Sequence, residues 1–353
     1  NCRDQSIWRG GVCLTDEPDG GTFGPCLFCK SEPVFDSFYV TAIDHAIHQA
    51  GDARVVLPKT SSRLPFCLRT DSLPSSMNLW QYSVELTKES CVPWDARRSL
   101  IIPGNNEEAV AFAASHLVQL ANFCIAKKNS FSIALCGGST PIPLLQQLIR
   151  PPLFHATDWQ KWCFFWSDER NVPYTSLESN FGEAWRAGLQ NVTSLEKGHS
   201  FPMPIEKDLD QAARRYEQKI RSFCSTLDLV MLGMGQDGHT ASLFPGTAAL
   251  DEMERWVVAN YIPALQSWRM TFTFPAIAAA GLVCVYAFGT GKQAAMQKVL
   301  LPSSPTESLL PAARLGTPEK PVLFFLDRGS SASLPPSGLI GTGSMSPLKP
   351  KPP

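Results

Sequence analysis

Phe131-Ser132-Ile133-Ala134-Leu135, followed by Cys136 and then Gly137-Gly138-Ser139-Thr140-Pro141, is the stretch on which the fold turns. A short apolar run ending at a glycine pair reads as a buried strand. Leu144 to Ile149, just beyond the turn, has helical spacing. Upstream, Asn105 or Asn106 can cap a longer helix, with Glu107 and Glu108 well placed in its first turn. Val110, Ala114, Leu117, Ala121 and Ile125 give that helix one apolar face. Downstream, Cys163–Trp166, Leu227–Leu232, Leu282–Phe288 and Val322–Leu326 are further strand-like runs, and Gln211–Phe223 is helical between two of them. Strands alternating with helices predict an α/β fold whose parallel sheet is covered on both faces. Ligands in such folds bind at the carboxyl ends of the strands. The residues just after each strand are therefore where chemistry is expected.

The chain has 353 residues and 44% hydrophobic content, enough for one large α/β domain with extra material or for two ordinary domains. A net charge of -1 leaves no electrostatic footprint for nucleic acid or an anionic membrane. No run of about 18 apolar residues predicts a membrane span. Residues 1–97 are rich in Gly, Pro and Ser and lack sustained periodicity, so an irregular N-terminal extension is expected there. They carry neither the basic start nor the apolar run of a signal peptide, and Asp4, Asp16, Glu17 and Asp19 argue against a transit peptide. This favours a cytoplasmic location, with a plastid or other organelle as the alternative if a targeting sequence is missing. The main α/β domain is expected over 98–329, followed by a disordered Pro/Ser-rich tail at 330–353. Cys124, Cys136, Cys163, Cys224 and Cys284 lie in apolar segments and read as small buried hydrophobes. Cys26-Leu27-Phe28-Cys29 is an isolated pair with no second pair at zinc spacing.

Three strand ends carry the polar residues. Gly137, Gly138, Ser139 and Thr140 combine close backbone approach, hydroxyls and a helix start, a setting that favours an anion. Ser167-Asp168-Glu169-Arg170 offers Arg170 to an anion or a developing oxyanion and Asp168 to a polar or orienting role. Gly233-Met234-Gly235-Gln236-Asp237-Gly238-His239-Thr240 is a tight loop that brings Asp237 and His239 within reach of one site. Histidine titrates near neutrality and can take a proton from water. Arg269, before a β-like run, and Lys292, past another strand end, supply the forked donor and the point charge that suit a phosphate monoester.

Phe131 to Pro141, Ser167 to Arg170 with Ser179-Asn180, Gly233 to Gly246, Arg269-Met270-Thr271 and Gly289 to Lys292 resemble, in order, the motifs of the 6-phosphogluconolactonase family. The resemblance covers roughly residues 100–328. It implies a Rossmann-like three-layer α/β/α domain that hydrolyses 6-phospho-D-glucono-1,5-lactone to 6-phosphogluconate in the oxidative pentose phosphate pathway. It implies a small-molecule substrate, no organic cofactor, no required metal and a functional link to glucose-6-phosphate dehydrogenase. Carried over by residue, His239 activates the attacking water and Asp237 and Asp168 hold polar groups. Arg170 stabilises the oxyanion or serves the phosphate. Gly137, Gly138, Ser139 and Thr140 hold the phosphate with Arg269 and Lys292. Related deaminases of amino-sugar phosphates follow the histidine differently; Thr240-Ala241-Ser242-Leu243-Phe244-Pro245-Gly246 resembles the lactonase branch. A non-catalytic sugar-phosphate sensor is the third reading, but residues 1–97 show no helix-turn-helix pattern. Only Pro263 remains of the proline-rich approach that the family has before Arg269. Removing residues 1–76 is expected to leave lactone hydrolysis intact, measured as initial rate per mole of the shortened chain.

Overall fold

Runs that are apolar on both faces can be satisfied only inside a sheet covered on two sides. The computed structural model describes residues 6–9, 12–15, 76–138, 140–192 and 198–335. Within residues 1–62, which form a unit of their own, Ser6–Arg9 (β1) pairs antiparallel with Val12–Thr15 (β2).

The second unit contains β3 (Cys91–Asp95), β4 (Arg98–Ile101), β5 (Phe131–Leu135), β6 (Trp162–Trp166), β7 (Asp168–Arg170) and β8 (Leu229–Leu232). It continues with β9 (Val257–Ile262), β10 (Ser267–Phe272), β11 (Leu282–Ala287) and β12 (Val322–Leu326). Its helices are α1 (Leu79–Thr87), α2 (Asn106–Lys128), α3 (Pro141–Leu148), α4 (Asn180–Arg186) and α5 (Leu209–Phe223). The short α6 (Phe274–Ala279), α7 (Gln293–Leu300), α8 (Pro305–Ser308) and α9 (Arg328–Ser331) follow among the described residues.

The main sheet has the order β3-β4-β12-β11-β8-β5-β6. Its neighbours are parallel except β3, which pairs antiparallel with β4 at one edge. From β5 the chain moves outward to β6, whereas from β8 it moves the other way, to β11 and then β12. Right-handed crossovers running in opposite directions place their helices on opposite faces. That accounts for three layers, with α2 and α3 packed against each other on one face. It also opens a crevice where the order reverses, between the carboxyl ends of β5 and β8.

The polar ends of α2 are closed as its sequence anticipates. Asn105 Oδ1 accepts the Glu108 N–H at 3.0 Å and Glu108 Oε2 accepts the Asn105 N–H at 2.7 Å. Asn129, at φ 61, ends the helix with its N–H donating to the Ile125 carbonyl at 2.8 Å. By length and composition α2 could cross a membrane, but 67% of its apolar window is buried inside the fold.

Order extends beyond the boundaries read from the sequence. Helix α1 and strand β3 lie inside residues 1–97, and buried Ser330 lies inside 330–353. Helix α1 is held by tertiary contacts that its own mixed pattern does not announce. Tyr82 stacks on Phe123 with centroids 4.3 Å apart, and Ser83 Oγ meets His116 Nε2 at 2.8 Å. Residues 26–29 and 336–353 lie outside the described residues. Cys124, Cys136, Cys163 and Cys284 are buried thiols as anticipated, while Cys224 is half-buried.

A second, three-stranded antiparallel sheet, β7-β10-β9, arises where the chain leaves β6. Ser167 is the hinge between the sheets. Its N–H donates to the Leu135 carbonyl at 2.7 Å, while its own carbonyl accepts the Phe272 N–H at 2.7 Å. The sequence reading put Asp168–Arg170 just past the end of a strand and Arg269 just before one; both are strand residues, because each finds its partner far away in the chain.

His116 is fully buried, and desolvation pushes its pKa down to about 3. Below its ordinary value near 6.5 the unfolded chain takes up a proton that the folded chain refuses, so stability falls as pH drops from about 6.5 towards 3. His116→Leu is expected to lose less stability than the parent chain between pH 7 and pH 5, read from urea-unfolding midpoints.

Candidate active site

The turn after β5, the start of β7 and the loop after β8 converge on a cavity of about 240 Å³ in the crevice. Gly137, Gly138, Thr140, Asp168, Arg170, His239 and Lys292 all line it, as does Cys136. Of the other residues singled out, Asp237 reaches the cavity through His239. Arg269 lies on β10 opposite Arg170, outside the lining. Ser139 lies outside the described residues.

The loop after β8 is shaped around one pair. His239 Nδ1 lies 2.5 Å from Asp237 Oδ1, which also accepts the His239 backbone N–H at 3.2 Å. An ionised carboxylate only accepts, so the proton between them belongs on Nδ1 and Nε2 is left as the basic nitrogen. Burial disfavours the Asp237 charge, but the hydrogen bonds and charge of His239 outweigh it and hold the carboxyl below its usual range. Phe244 stacks on the imidazole with centroids 3.9 Å apart and planes at 21°, which limits the ring's rotation. Gly235 is required by the pair itself: a Cβ there would lie 2.1 Å from His239 Nδ1 and 2.6 Å from Asp237 Oδ1. The Gly235 N–H closes the loop on the His239 carbonyl at 2.9 Å, and Ala312 N–H holds the Gly238 carbonyl at 3.0 Å.

On the opposite wall, Thr140 leads into α3 without capping it by its side chain. Pro141 and Pro143 carry no N–H, so donors to an anion must come chiefly from the turn itself and from Ile142. Asn180 backs this turn, its Oδ1 occupying the space that a Cβ on residue 137 would need.

Arg170 and Arg269 face each other across β7 and β10. Burial pushes the Arg269 guanidinium down, the Arg170 charge adds to that, and Asp168, Glu178 and Glu169 oppose it. Two like charges directly opposite on neighbouring strands repel, a repulsion that a bound anion relieves. The Arg170 guanidinium is itself tied to the Glu178 carbonyl. Buried Glu169 holds the following loop by accepting from Ser179 Oγ, Asn180 N and Phe181 N at 3.0, 2.8 and 2.9 Å.

Lys292 sits in a turn positioned by Asp327, whose carboxylate accepts the Gly289 N–H at 3.0 and 3.1 Å. Lys292 Nζ donates to the Met234 carbonyl at 2.6 Å. Burial lowers its pKa, and Asp237 opposes that shift. Cys136 is buried and desolvation pushes its thiol up, so it is poorly placed to act as a thiolate. Among the described residues no group of His, Cys, Asp and Glu is arranged to hold a metal ion.

The sequence reading missed Phe244, Glu169, Asn260 and Asp327 as parts of this site. Asp327 carried the same signal as the others, an acidic residue directly after a buried strand. Asn260 carried none, because its contacts, Nδ2 to the Ser242 carbonyl at 2.9 Å and to Thr247 Oγ1 at 3.0 Å, depend on which segments β9 lies beside.

Residues 104–324 match the family model described as glucosamine-6-phosphate isomerases/6-phosphogluconolactonase. The chain belongs to this family. The 6-phosphogluconolactonase of Chlamydia muridarum is 37% identical over 234 residues, covering 66% of this chain and 88% of that protein. The chloroplastic 6-phosphogluconolactonase 3 of Arabidopsis thaliana is 32% identical over 242 residues, covering 65% of this chain and 73% of that one. Among solved structures, the 6-phosphogluconolactonase of Trypanosoma brucei superposes with a TM-score of 0.56 at 25% identity, covering 67% of this chain and 98% of that chain. The match to the family model begins just before α2 and ends within β12, so it spans the whole crevice.

Gly235→Ala is expected to reduce turnover by about 10²-fold with little change in fold, because displacing a catalytic group by roughly 1 Å has that effect. Steady-state rates beside a circular-dichroism spectrum check it.

Proposed function

We propose that this chain hydrolyses 6-phospho-D-glucono-1,5-lactone to 6-phosphogluconate by attack of a water that His239 deprotonates. The observation that carries the reading is the Asp237-oriented His239 on one wall of a cavity that also holds Arg170 and Lys292. Asp237 keeps the proton on Nδ1, so Nε2 takes a proton from water as the oxygen attacks the lactone carbonyl. Arg170 stabilises the tetrahedral oxyanion. When the intermediate collapses, the bond from the carbonyl carbon to the ring oxygen breaks. The protonated His239 then returns its proton to that departing oxygen, giving a free hydroxyl and a carboxylic acid.

The turn Gly137–Thr140 with Lys292 receives the phosphate, while Arg269, outside the cavity lining, contributes only its charge from β10 opposite Arg170. A lactone is an activated ester, so a base and an oxyanion donor are sufficient and no covalent nucleophile is needed. That fits the buried, protonated state of Cys136. The reading extends to a functional link with the glucose-6-phosphate dehydrogenase that supplies the lactone. The cytoplasm is the proposed location, with a plastid as the alternative that the chloroplastic relative supports.

His239→Ala is expected to remove on the order of 10²-fold or more of the rate above spontaneous opening. Lys292→Ala is expected mainly to raise KM, as loss of uniform phosphate binding does. Both are read in a coupled assay corrected for the uncatalysed reaction. Undiminished activity in His239→Ala, or ammonia release from glucosamine 6-phosphate, would overturn the assignment.

A further inference from the structure

We propose that Ser242 is a positioning residue that turns Asp168 into the acceptor for a hydroxyl of the bound sugar, separating a polyol end of the cavity from its phosphate end. The inference rests on the assignment of the cavity as the substrate site.

Ser242 is buried and each of its polar groups is committed. Its N–H donates to Thr271 Oγ1 at 3.1 Å, and its carbonyl accepts Asn260 Nδ2 at 2.9 Å. Asn260 Nδ2 also reaches Thr247 Oγ1 at 3.0 Å. Thr271, Asn260 and Thr247 are buried as well, so this chain of hydrogen bonds is held rigidly between β9, β10 and the loop after β8. The one hydroxyl proton of Ser242 is given to Asp168 Oδ2 at 2.7 Å.

The Asp168 backbone is pinned too, since its carbonyl accepts Asn180 Nδ2 at 2.8 Å. Among the described residues Oδ1 of Asp168 has no protein donor, although Asp168 lines the cavity. A carboxylate fixed on one oxygen and open on the other can only accept. It repels a phosphate, and the ligand group that satisfies it is a hydroxyl. Ser242 thereby sets which part of the ligand lies against β7, without touching the ligand.

The test compares two inhibitors of the full-length chain: inorganic phosphate, and 6-phosphogluconate, which joins a phosphate monoester to a polyol and a carboxylate. Ser242→Ala is expected to weaken 6-phosphogluconate about tenfold, as loss of one hydrogen bond to a charged group does, and to leave the inhibition constant of phosphate unchanged. Ser242→Cys keeps the volume and donates weakly, so it serves if the alanine variant does not fold, with the same split expected. Equal weakening of both inhibitors would make Ser242 merely structural and overturn the proposal. Unchanged product binding in both Ser242 variants would also overturn it, while loss of activity in Asp168→Asn would leave the site assignment standing. Asp168→Asn with parental activity and product binding would instead remove the assignment of Asp168, and the proposal with it.

Discussion

The site depends on one hinge. The Leu135 carbonyl, at the end of strand β5, accepts both the N–H and the Oγ–H of Ser167, and the Ser167 carbonyl accepts the N–H of Phe272. Those bonds lie between two sheets of different character. Behind Ser167 the strand is apolar on both faces and buried; ahead of it the chain becomes Asp168-Glu169-Arg170, which no fully covered sheet could hold. Redirecting the backbone at Ser167 places those charges over the carboxyl edge of the parallel sheet, where β5 and β8 diverge. The crevice and the charges that line it share this cause.

Around the hinge, pairs of polar groups hold each functional side chain in one orientation. Asp237 sets the His239 tautomer, and Phe244 limits the tilt of the ring. Asp327 holds the turn that presents Lys292, and Glu169 holds the loop that backs Arg170. Glu169 and Asp327 are buried and would be unstable alone, whereas Asp237 is exposed. Each is satisfied by backbone N–H groups or by a ring N–H, so the desolvation penalty is offset locally. Arg170 and Arg269 are the exception: among the described residues neither forms an ion pair with a carboxylate across β7 and β10.

Strands β5, β6, β8, β11 and β12, helices α2, α3 and α5 and the loop carrying His239 were legible in the sequence. Their signals are local: apolar runs of strand length, an asparagine three residues before a glutamate, glycines where a strand stops. Gly235 shows how far such reading goes. The sequence marks it as part of a tight loop, but only the folded geometry shows that the space of its missing Cβ is taken by the imidazole. Helix α1 and strand β3 were not legible, because their stability comes from Phe123, His116 and β4, which lie elsewhere in the chain.

The sequence by itself determined the residue types at each strand end, and with them the chemistry we propose for the site: a base, an oxyanion donor and an anion site. Only the tertiary structure decided how they are shared out. It put Arg269 behind Arg170, outside the cavity lining, and it joined Ser242 to Asp168 across 74 residues of chain. The physical reason is pairing at a distance. The strand partners of β7 and the donor to Asp168 are fixed by hydrogen bonds between segments whose sequences carry no mark of each other.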